Sequence, residues 1–129
     1  MEASEHEAIA TKISMDKVKM LEVLSSPPKG CRGRFPQFGE KVKIGYVIKT
    51  EKGRAIDWSR RPLTFVLGNF CAPVIEGFHF VLPNVELGSR VKAWVPAEYG
   101  FDWDYPIEYA RNENLIIEIT LLKIKSCVR

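Results

Sequence analysis

Residues 40–49, EKVKIGYVIK, set Val42, Ile44, Tyr46 and Ile48 on one side of an extended chain and Lys41, Lys43 and Val47 on the other. Successive side chains of a strand point to opposite faces, so this period of two commits the segment to a sheet with one covered side. The same alternation returns in SRVKAWVP at 89–96, where Val91, Ala93 and Val95 oppose Arg90, Lys92 and Trp94. A third run, NLIIEITLLKIK at 114–125, is apolar and β-branched with Glu118 and Thr120 as polar breaks, as suits the middle of a sheet. KVKMLEVL at 17–24 slips phase between Met20 and Leu21, which predicts an edge strand with a bulge. The turn TEKG at 50–53 should fold RAIDW back onto the long strand, and PLTFVLG forms a further short strand. Pro73 stands where the first turn of a helix tolerates a missing N–H, and Val74, Phe78 and Val81 follow at i, i+4 and i+7. One short helix ending near Pro83 is expected there. About five antiparallel strands with one short helix packed across them predict an α+β domain.

The chain has 129 residues, 46% of them hydrophobic, which suits one domain with a real core. Its formal net charge of +3 calls for no polyanionic partner, so no nucleic acid and no membrane is expected. Residues 1–16 carry Glu2, Glu5, Glu7 and Asp16 without an apolar stretch, and are expected to be a flexible acidic tail ahead of a domain at 17–129. Between the first two strands, SSPPKGCRGRFPQFGE at 25–40 is dense in Ser, Pro and Gly and should be a loop. Residues 65–83 are apolar, but Gly68, Pro73, Glu76, Gly77 and His79 interrupt them, so a buried segment is expected and not a membrane span. Three dispersed cysteines, Cys31, Cys71 and Cys127, argue against a disulfide framework and for the cytoplasm, or the nucleus. Together with His6 and His79 they lack metal-ligand spacing, so no metal and no cofactor is expected.

The order and spacing of several pieces resemble the FKBP-type peptidyl-prolyl cis-trans isomerases over roughly residues 33–125. These pieces are GRFPQFGEKVKIGY, Asp57 with Ser59-Arg60, PLTFVLG, VIEG opening the helix, VELGSRVKAWVPAEYG and NLIIEITLLKI. The resemblance implies a curved antiparallel sheet wrapped around a short helix, with a shallow apolar cleft between them that accepts a proline ring. Carried over by position, the cleft residues are Tyr46, Ile56, Asp57, Leu63, Phe65, Val74, Ile75, Phe78, Tyr99 and Ile117. Four depart from the family's usual pattern: Ile56, Leu63 and Ile117 stand where Phe is usual, and Phe78 where Trp is. The apolar character survives with less aromatic surface. After Tyr99-Gly100, FDWDYPIEYARNE at 101–113 replaces a Gly- and Pro-rich flap with acids and aromatics.

The resemblance implies that Asp57, Tyr99 and the Ile75 backbone N–H form the catalytic set. Tyr99 and Ile75 would hold substrate carbonyls, and Asp57 would organise the cleft wall through Tyr46 or Arg60. The implied partners are proline-containing proteins or peptides and macrolide immunosuppressants, bound by a monomer. Two readings compete with catalysis. One is a weakly active or inactive interaction module of a co-chaperone on the same fold, motivated by the four altered positions. The other is a small barrel holding single-stranded RNA on Trp58, Trp94 and Trp103. From the residues alone, Tyr46, Phe65, Val74 and Ile75 read first as ordinary core, while Asp57 reads equally as a turn residue capping backbone N–H groups and Tyr99 as a strand-end aromatic.

Overall fold

The structure is a computed structural model that describes residues 17–27, 33–101 and 113–125. The acidic tail, the tip of the 25–40 loop, Trp103 and most of the 101–113 segment lie outside these residues. The described chain forms six strands: β1 (Lys19–Ser25), β2 (Lys41–Thr50), β3 (Ala55–Trp58), β4 (Leu63–Val66), β5 (Arg90–Val95) and β6 (Leu115–Lys125). One helix, α1 (Glu76–Val81), lies between β4 and β5. The open sheet is antiparallel throughout and runs β1-β5-β6-β2-β3, with β4 also paired to β2.

Strand β2 organises the molecule. It pairs with β6 from Lys41↔Lys125 to Thr50↔Leu115 on one edge. On the other edge β3 takes its second half and β4 its first, so two short strands share one long partner. The break between them is bridged at Tyr46, whose N–H donates to Ser59 Oγ at 2.9 Å and whose carbonyl accepts from the Ser59 N–H at 2.9 Å. The β2–β3 turn closes with Gly53 at φ 94°, a left-handed backbone that favours glycine. At the opposite edge β1 shifts register between Met20 and Glu22 and again between Val23 and Ser25, so the phase slip in the sequence is a bulged edge strand.

Alternation sorts the two faces of the sheet. Val42, Ile44 and Ile48 of β2, Val91, Ala93 and Val95 of β5, and Leu115, Ile117, Ile119 and Leu121 of β6 are buried on the inner face. Helix α1 lies against that face, and a Cβ on Gly77 would meet Val95 Cγ1 at 2.5 Å, so only glycine lets the two backbones approach this closely. The helix starts later than the sequence predicts. Pro73 is not in its first turn: Val74 N–H closes a tight turn onto the Ala72 carbonyl, Ile75 is extended (φ −66°, ψ 151°), and regular helix runs for six residues from Glu76. Its end is as expected, in a 3-10 turn containing Pro83.

Candidate functional site

The expected cleft residues come from four strands, from the helix and the residues that lead into it, and from a 3-10 turn. Tyr46 lies on β2, Ile56 and Asp57 on β3, Leu63 and Phe65 on β4, and Ile117 on β6. Val74 and Ile75 lead into the helix, Phe78 is on it, and Tyr99 ends a 3-10 turn after β5. Ile56, Phe65, Ile75, Phe78 and Ile117 are buried in one apolar cluster, and Tyr46, Leu63, Val74 and Tyr99 pack against it while remaining partly exposed. A buried floor with a half-exposed rim is what a shallow apolar cleft requires.

The Tyr46–Asp57 pair is the polar hinge of this arrangement. The Tyr46 hydroxyl donates to Asp57 Oδ2 at 3.1 Å, and the Trp58 backbone N–H donates to Asp57 Oδ1 at 2.9 Å. Asp57 thus holds its own turn and orients a cleft tyrosine at once, and no bond joins it to Arg60 among the described residues. Tyr46 presents its ring edge to Phe78 with centroids 5.1 Å apart. Tyr99 stacks on Phe80 at 4.8 Å, with Lys17 Nζ 5.8 Å above its ring. Its hydroxyl makes no hydrogen bond among the described residues, and neither does the Ile75 N–H.

Phe65, in the same cluster, meets the His79 ring edge to face, with centroids 5.4 Å apart and planes at 84°. His79 is fully buried. Its Nδ1 accepts the Gly68 N–H at 2.9 Å, Nε2 has no partner among the described residues, and burial lowers its pKa to about 4. The neutral imidazole therefore acts as a shaped core group that fixes the turn after β4. Phe80, the support of Tyr99, was not singled out from the sequence. The signal was present, because GFHFVL is apolar around the whole helix, and a helix without a polar face is a surrounded one.

Of the aromatics considered for RNA, Trp58 is exposed, while Trp94 is half-buried and its Nε1 donates to Glu51 at 2.7 Å. They do not form a common stacking platform: Trp58 lies on β3 and Trp94 on β5, with β2 and β6 between them.

Comparison with known proteins gives one consistent result. The sequence profile described as FKBP-type peptidyl-prolyl cis-trans isomerase matches residues 32–122. FK506-binding protein 1 of Debaryomyces hansenii is 30% identical over 94 residues, which span 70% of this chain and 82% of that protein. FK506-binding protein 1 of Saccharomyces cerevisiae is 26% identical over 120 residues, 92% of this chain and 97% of that one. Among solved structures, a peptidyl-prolyl cis-trans isomerase from Pseudomonas syringae pv. tomato superposes with a TM-score of 0.66 at 22% identity, over 95% of this chain and 96% of the other. At that identity the structural likeness speaks for the fold.

Proposed function

The chain belongs to the FKBP-type peptidyl-prolyl cis-trans isomerase family and is a peptidyl-prolyl isomerase, and from that premise we propose that catalysis takes place on the inner face between β2, β3 and α1. What supports this reading is one apolar cluster that includes Ile56, Phe65, Ile75, Phe78 and Ile117, with Tyr46 and Tyr99 packed against it and Tyr46 bonded to Asp57.

Rotation about an Xaa-Pro bond must break amide resonance, a barrier of roughly 18–20 kcal/mol for peptide bonds. No bond to the protein is needed to lower it. A twisted amide separates less charge than a planar one, so transfer from water to an apolar wall favours the transition state over the ground state. Val74, Ile75, Phe78 and Ile117 supply that wall, and Ile56, Leu63 and Phe65 extend it. The Tyr99 hydroxyl and the Ile75 N–H donate to the carbonyls flanking the proline, which holds the substrate while its amide turns. Asp57 transfers no proton. It accepts from Tyr46 and so keeps that ring edge-on to Phe78, fixing the width of the cleft.

The substrates in this reading are proline-containing segments of proteins, whose folding the activity assists. The cleft also takes an FK506-type macrolide, which the names of the two yeast relatives support. We place the protein in the cytoplasm as a monomer; among the described residues no helix is long and apolar enough to cross a membrane.

A protease-coupled assay on an Xaa-Pro peptide tests the assignment. The wild type should accelerate isomerisation, and Tyr99→Phe should lower kcat/KM by about five- to tenfold, the worth of one hydrogen bond made in the transition state. Asp57→Ala should lower it further by releasing Tyr46. Wild-type and variant rates all equal to the uncatalysed rate would overturn the proposal and leave the non-catalytic interaction module.

A further inference from the structure

On the outer face, away from the cleft, β2 and β6 bring four lysines together in an arrangement that folding alone does not favour. Lys41 stands directly across from Lys125, and Lys43 directly across from Lys123. Like charges opposite one another in an antiparallel pair oppose the pairing. A bulge enforces this register. The ladder shifts between Lys43 and Ile44, which leaves Leu122 as an extra, exposed residue between Leu121 and Lys123. Without it Lys123 would face Val42 on the buried side; with it, all four ammonium stems project outward.

None of the four has a carboxylate partner among the described residues. The acid on the same face of β6, Glu118, is already held by Lys49 at 2.9 Å and Arg90 at 2.8 Å. The lysines surround a hollow of about 230 Å³, closed on the β4 side by Thr64. Strand spacings place them at the corners of a rectangle of roughly 5 by 7 Å at the backbone. Gly45 and Thr120 end the basic patch along the strands, and Glu118 follows. Beyond it the same face carries Arg90, Lys92 and Lys49, of which Arg90 and Lys49 are engaged by Glu118, so the positive charge around the depression is that of four lysines without such a partner among the described residues.

The geometry points to a binding site for a compact polyphosphate ligand, one that presents two or more phosphate groups within a few ångströms. Such a ligand supplies the missing counter-charge to both lysine pairs at once, and the Thr64 hydroxyl adds a neutral donor at the wall. A single orthophosphate would satisfy one pair and leave the other opposed. A nucleic-acid strand would need a continuing run of free basic residues beyond the rectangle, whereas Arg90 and Lys49, which follow on this face, are engaged by Glu118. The site is separate from the isomerase cleft and does not depend on it, because residues 41 and 43 point to the face opposite Val42, Ile44 and Tyr46.

Calorimetric titration with inorganic tripolyphosphate at low salt tests the assignment, with orthophosphate and a single-stranded RNA oligonucleotide as comparison ligands. Tripolyphosphate should bind at least tenfold more tightly than orthophosphate, and the double variant Lys43→Ser/Lys123→Ser should lose at least tenfold of that affinity while keeping wild-type isomerase activity. Without ligand the double variant should melt about 1–3 °C higher, because one opposed pair has gone. Equal affinity of wild type and variant for tripolyphosphate, or tighter binding of RNA than of tripolyphosphate at equal phosphate concentration, would overturn the proposal. So would a variant that melts below the wild type.

Discussion

The two faces of β2 and β6 are built from alternate residues of the same two strands, yet they ask opposite things of the fold. On the inner face Ile48 meets Ile117 and Tyr46 meets Ile119, and the pairs are buried or half-buried beneath α1. On the outer face Lys43 meets Lys123 in solvent, with no acid between them among the described residues. The inner face buries the core of the protein; the outer end sets like charges opposite one another. A side-chain period of two lets one ladder serve both, because each strand contributes alternate residues to each task.

The contrast is broken most severely from the inside. Ile117→Ala, at a fully buried position, should lower unfolding free energy by about 2–5 kcal/mol in a urea titration. Lys123→Ser on the same strand should leave it unchanged or raise it slightly. Equal losses for the two would mean that the faces do not differ as described.

His79 sharpens the contrast through pH. Its pKa is lowered by burial to about 4, so the fold holds the neutral ring where the unfolded chain would take a proton. Stability is full above about pH 6.5 and falls as the pH drops toward 4, by up to about 3 kcal/mol. Denaturant titrations at stepped pH should show this slope, and His79→Gln, which can still accept the Gly68 N–H, should flatten it. A slope unchanged in that variant would assign the acid sensitivity elsewhere.

A smaller effect is expected where the helix meets the sheet. Gly77→Ala forces a Cβ into Val95 and should cost about 1–3 kcal/mol in the same titration, with a matching loss of isomerase activity as α1 lifts from the cleft. Smallest of all is the outer-face ion cluster. Hydrogen bonds from Lys49 and then Arg90 lower the Glu118 pKa, so its contribution is present above the ordinary carboxylate range and is lost as the pH falls through the lowered value. The basic partners are about a third exposed, at 33% and 36%, and Glu118→Gln should therefore cost less than about 1 kcal/mol near neutral pH.

Much of this division was legible in the sequence, for particular reasons. Alternation in EKVKIGYVIK and SRVKAWVP places those side chains on their observed faces, because a half-buried strand has only one way to hide its apolar residues. The edge position of β1 was readable from its phase slip. The start of α1 was not: Pro73 carries a local signal for a first helical turn, but the Ala72–Val74 turn and the extended Ile75 take its place, and the helix begins where Gly77 can dock on Val95. Local preference yields there to packing. The bulge at Leu122 was also hidden, since LLKIK reads equally well in either phase until its partner strand is known. As for the proposed cleft, its residues were named through a family resemblance, while the Tyr46–Asp57 bond and the support of Tyr99 by Phe80 needed the arrangement in space.

Exchange spectroscopy by NMR on an Xaa-Pro peptide tests the inner-face chemistry most directly, because it reads cis–trans interconversion without a coupling enzyme. Substoichiometric protein is expected to produce exchange cross-peaks between the cis and trans forms, with shifts at Tyr46, Ile75 and Tyr99 and none at Lys43 or Lys123. Interconversion no faster than in the free peptide, with the protein folded and its inner-face resonances unmoved, would contradict it.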